Sequence, residues 1–101
     1  MRIVEAIEEL NLSKHQLTDQ MRIIARDTYP LSWWIKAAEL WLANLDRTHQ
    51  ITGKIVYQIT DICRTYRSGI LLTDKQQHFL AMTVIDNWHE MSCQARAEMM
   101  L

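Results

Sequence analysis

The chain has 101 residues, 49% of them hydrophobic and 23% charged, with eleven Lys and Arg against twelve Asp and Glu for a formal net charge of -1. That balance fits one folded domain spanning residues 1–101 rather than a disordered tail, and it argues against a protein held to nucleic acid mainly by neutralising phosphates. Two cysteines are too few for a secreted disulfide scaffold, and the acidic residues of MRIVEAIEEL interrupt what would have to be a signal peptide, so a cytoplasmic protein with free thiols is expected. No apolar run approaches the roughly 20 residues of a membrane span.

In chain order, Ile3, Val4, Ile7 and Leu10 recur at helical spacing opposite Glu5, Glu8 and Glu9, which predicts a short amphipathic helix over 2–10. Asn11 tolerates the left-handed conformation that ends helices, and Ser13 with Gln16 reads as a capping-box start. A second helix is predicted over about 14–28, with Leu17, Met21, Ile24 and Thr28 as its apolar line and Ala25 beside it. It must stop before Pro30, which disfavours helical geometry at Tyr29 and lacks a backbone N–H.

From Pro30 to Leu45, three of the four tryptophans lie on one predicted helix. At about 100° per residue, Trp34, Ala38, Trp41 and Leu45 form one line flanked by Ala37 and Leu42, leaving a narrow polar stripe of Lys36, Glu39 and Asp46. A helix apolar around most of its circumference is wrapped by neighbours, so this is the expected centre of the fold. Trp33 and Ile35 fall at opposite rims of the apolar arc, where one neighbour cannot easily cover both.

Residues 46–53, DRTHQITG, form the longest predicted loop. Beyond it Ile55, Ile59, Ile62 and Tyr66 mark a fourth helix that Arg67, Ser68 and Gly69 should close, with basic side chains in the last turn and glycine where a positive φ is favoured. Thr73 and Gln76 then offer a second capping box. The final helix is predicted from about Asp74 to near the C-terminus, carrying Leu80, Ala81, Val84, Ile85, Trp88, Met91, Ala95 and Met99 on one side. Its length, roughly 40 Å at ~1.5 Å per residue, exceeds what a core of this size covers, so pairing of two copies through it is an expectation. The fold class is thus all-α, a compact bundle of about five helices with no internal repeat or linker.

Catalytic signatures are missing. Gly53 and Gly69 are isolated and cannot form a phosphate loop. His89 and Cys93, four apart on the predicted last helix, are two ligands where a closed zinc site needs about four, and neither Cys63 nor Cys93 sits in a nucleophile signature. No enzyme, metal or cofactor is expected. Binding residues are better motivated: aromatic and methionine side chains away from the core anchor partners, which selects Trp33, Ile35, Phe79, Met82, Met99 and Met100 as the protein-docking candidates. The alternative is a DNA-binding helix-turn-helix over residues 4–21, with Asn11 at the turn and Lys14, His15, Gln16 and Arg22 as the nucleic-acid contacts. Its recognition face is mixed rather than basic, and Ile7 stands where close helix crossing prefers a small residue.

The stretch KIVYQITDICRTYRSGILLTDKQQHFLAMTVID, residues 54–86, resembles a helical hairpin of phage and mobile-element accessory proteins, carried by Arg67, Gly69, Leu72, Thr73, Lys75 and Gln76. Ile70 and Leu71 are two residues more than that pattern has between glycine and motif. The resemblance implies an accessory role in nucleic-acid transactions or interference with a host complex, and no catalytic residue.

Overall fold

Helix-forming periodicity, rather than any alternation of two, runs through the chain, and the computed structural model, which describes residues 2–45 and 53–101, is all-helical over those residues. Six α-helices follow in order: α1 (Ile3–Leu10), α2 (Asp19–Thr28), α3 (Leu31–Ala43), α4 (Gly53–Arg67), α5 (Asp74–Asp86) and α6 (Cys93–Met99), with single 3-10 turns at Lys14–Gln16 and Trp88–Glu90. Most of the predicted loop, residues 46–52, together with Asp46 and His49, lies outside the described residues.

The tryptophan helix is central. Helix α3 packs against α4, α5 and α6, and Trp34, Ile35, Ala37, Ala38 and Trp41 are all buried on it. Two alanines one residue apart let neighbouring helices approach closely, while the indoles fill the space between them. The core around α3 is one cluster that takes Val4 and Ile7 from α1, Ala25 from α2, Ile59 and Ile62 from α4, and Leu80, Val84 and Ile85 from α5.

Two predicted helices are broken. The Ser13–Gln16 pairing forms, with the Ser13 N–H donating to Gln16 Oε1 at 2.8 Å, but it closes only a 3-10 turn; Leu17 then turns extended and buries its side chain. Helix α2 starts at a second cap, where Thr18 Oγ1 accepts from the Met21 N–H at 3.1 Å. Its inward face is accordingly Met21 and Ala25, and Ile23, Ile24 and Thr28 are exposed, contrary to the predicted apolar line.

The long last helix is likewise absent. Asn87 leaves helical geometry at φ -111° and ψ 16°, its side-chain amide donates to the Thr83 carbonyl at 2.8 Å, and Ser92 caps α6 by accepting from the Ala95 N–H at 3.1 Å. A straight helix from Asp74 to the last residue would run roughly 40 Å, beyond the 35 Å longest dimension of the fold. The break turns α6 back onto α3 and buries Met91, Ala95 and Met99, so no long helix projects to pair two copies. His89 lies on the 3-10 turn within that break and Cys93 opens α6, so the two do not share one helix face.

Candidate interaction surface

The turn between α4 and α5 is fixed from both ends by local chemistry. Gly69 adopts φ +82°, which admits the closing pair of bonds from the Gly69 N–H to the Tyr66 carbonyl at 3.0 Å and from the Ile70 N–H to the Thr65 carbonyl at 3.3 Å. At the other end the Thr73 N–H donates to Gln76 Oε1 at 2.9 Å and the Gln76 N–H to Thr73 Oγ1 at 3.1 Å, a reciprocal capping box. Leu72 is buried between them, and its carbonyl accepts from Gln77 Nε2 at 3.2 Å.

What this frame holds outward is apolar. Ile70 is 60% and Leu71 93% exposed, on a backbone whose neighbours on each side are hydrogen-bonded. They border a cleft of about 430 Å³ shared with Leu31, Tyr66, Arg67 and Gln77. A second cleft of about 350 Å³ lies between α4 and α5, bordered by Gln58, Asp61, Ile62, Lys75 and Phe79. Arg67 lies over the Tyr66 ring at 5.7 Å from its centroid and forks onto Glu39 through Nε at 3.0 Å and a terminal nitrogen at 2.5 Å. That fork holds the Glu39 carboxyl below its usual range, the hydrogen bond outweighing the opposing effect of burial.

The residues singled out from the sequence are placed differently. Ile35 is 0% exposed, and Met99 is buried too, so neither offers surface. Trp33, expected at a rim, is partly buried in an aromatic stack, 3.9 Å from the Tyr29 ring centroid and 6.2 Å from that of Trp88, with its indole N–H donating to the Met99 carbonyl at 3.3 Å. Phe79, Met82 and Met100 are partly buried against the core. Helix α6, folding back from the break after α5, packs on α3 and takes the Trp33 indole N–H through the Met99 carbonyl.

Of the helix-turn-helix residues, Lys14, His15 and Gln16 sit exposed on a 3-10 turn, before α2 begins. Arg22 is turned inward to an ion pair with Asp86, and its other terminal nitrogen donates to the Lys14 carbonyl at 2.7 Å. The four therefore do not share one helix. Exposed Ile70 and Leu71 were not singled out from the sequence, because a short apolar link between two helices has no periodicity to say which side chains meet solvent.

Polar chemistry elsewhere is used in cross-links. Glu8 Oε2 accepts from Trp88 Nε1 at 2.8 Å and from Arg96 at 3.1 Å, tying α1 to the last third of the chain. His89 Nε2 lies 2.7 Å from the Leu12 carbonyl, and Cys93 Sγ accepts from Arg96 at 3.3 Å. Burial pushes the Cys63 thiol up to about 11, far from the low value of a reactive thiolate. Among the described residues no three His, Cys, Asp or Glu side chains are grouped to hold a metal ion, and no helix is long and apolar enough to cross a membrane. Comparisons with protein-family models, with curated proteins and with solved structures find no match.

Proposed function

We propose that this chain is a non-enzymatic docking protein that binds a protein or nucleoprotein partner through the α4–α5 connection, with Leu71 and Ile70 as its anchors. The observation that carries this reading is the exposure of two adjacent aliphatic side chains on a backbone fixed by Gly69 and the Thr73–Gln76 box. A fixed loop gives up little conformational freedom on binding, so more of the burial energy reaches affinity. Anchors of this kind work beside a pocket that excludes water, a role the adjoining Leu31–Tyr66 cleft fits. The likeness of residues 54–86 to accessory hairpins of mobile elements supports an accessory or inhibitory role against a host complex.

The test is parallel affinity capture from the native cells with wild-type and Leu71→Ser baits and, as a control at an exposed aromatic on α4 outside the connection, a Tyr57→Ser bait, each first shown to be folded by circular dichroism. The expected outcome is a protein retained by wild type and Tyr57→Ser and lost with Leu71→Ser, at little cost in salt. Equal capture by the Leu71→Ser bait overturns the reading. Capture of nucleic acid that falls steeply with salt and disappears with Lys14→Glu would instead favour the helix-turn-helix.

A further inference from the structure

The cleft beside Leu71 does not end at Leu31 and Gln77. Both residues also border a cleft of about 280 Å³ walled by Arg26, Asp27, Tyr29 and Trp34. Arg26, Asp27 and Gln77 in turn border a third cleft of about 370 Å³, whose remaining wall is Asp74. Shared walls make the three one groove, leading from the α4–α5 connection past the start of α5 to the end of α2. Its walls are tied down: Trp34 Nε1 donates to the Arg26 carbonyl at 3.1 Å, and Gln77 Nε2 to the Leu72 carbonyl at 3.2 Å.

The two ends of the groove differ in chemistry. At the connection the walls are apolar, with exposed Leu71 and Ile70 beside Leu31 and Tyr66, and Arg67 there is already forked onto Glu39. At the far end the one cation is also engaged. Arg26 Nε donates to Asp27 Oδ1 at 3.1 Å, and a terminal nitrogen of Arg26 lies 2.8 Å from His78 Nδ1. Among the described residues no ion pair takes Asp74. Two exposed carboxylates, Asp27 and Asp74, thus stand against one guanidinium, which leaves that end of the groove with a surplus of negative charge.

Resting on the docking reading above, we propose that the partner enters this groove as a peptide segment, with an aliphatic or aromatic side chain against Leu71 and Leu31 and a lysine or arginine facing Asp27 and Asp74. The apolar contact supplies most of the affinity, and the charge selects which segments fit. A phosphate backbone would meet the acidic end with repulsion, so the chemistry favours a peptide over nucleic acid.

The experiment is selection from a displayed library of random peptides on the folded wild-type protein, repeated on Leu71→Ser and on the double variant Asp27→Lys/Asp74→Lys, each first checked by circular dichroism. Wild type should enrich peptides in which an apolar residue and a lysine or arginine recur at one fixed spacing. The charge-reversed protein should enrich the same apolar residue with an acidic one in place of the basic one. Made synthetically, the peptide selected on wild type should bind Asp74→Asn, a milder change at an exposed position, about threefold more weakly, and Leu71→Ser about tenfold more weakly. Enriched peptides that lack a basic position, or that bind Asp74→Asn and the charge-reversed protein as they bind wild type, overturn the proposal and leave the docking reading standing. Equal binding to Leu71→Ser, or no enrichment on wild type, overturns both.

Discussion

Trp41 is 1% exposed on the face of α3 that meets the neighbouring helices. Truncating a large buried aromatic loses its transfer energy and leaves a cavity that a close-packed interior only partly fills. Trp41→Ala is therefore expected to cost about 3–5 kcal/mol, read as a lower urea midpoint with little change in slope. Trp33 behaves otherwise. It joins Tyr29 and Trp88 in one stack and hydrogen-bonds the α6 backbone, so its role is to hold α6 against the start of α3.

At the scale of elements, the α4–α5 connection depends on one left-handed residue. A Cβ at Gly69 meets nothing within 4 Å, so the space is open and the strain lies in φ +82° alone. Gly69→Ala should cost about 1–2 kcal/mol, visible as a lower thermal midpoint. It should also weaken partner capture even with Leu71 in place, because the loop loses its fixed presentation. Helix α2 shows the converse case, two caps competing within six residues. Thr18 wins the α-helix and Ser13 keeps a single turn, which shifts the buried face from Ile24 and Thr28 to Ala25.

For the whole molecule, the ion pair of Arg67 and Glu39 joins the end of α4 to α3, and α3 is the element the rest is packed on. Glu39 has its folded pKa below the ordinary 4.5 because of the Arg67 hydrogen bond. Its contribution is therefore complete above 4.5 and fades as pH falls through the lower folded value. Urea midpoints measured down that acid range should drop in wild type. In Glu39→Gln that part of the drop should vanish, with a lower midpoint near neutrality.

Local chemistry made much of this fold legible from the residues. The periodicity over Leu31–Ala43 and Gly53–Arg67, the left-handed Asn11 and Gly69, and the Thr73–Gln76 box all depend on interactions within a few residues, and all are present. The candidate surface was less legible. Whether Ile35 or Leu71 meets solvent depends on helices distant in sequence, and a run of eight apolar residues from Leu80 to Met99 fits one long helix as well as two short ones folded back. Periodicity alone thus determined an all-helical chain centred on the tryptophan helix. Asn87 and Ser92 mark the place of the break locally, and tertiary packing decided that the last helix turns back there, because a helix longer than the core it covers cannot bury its far end otherwise.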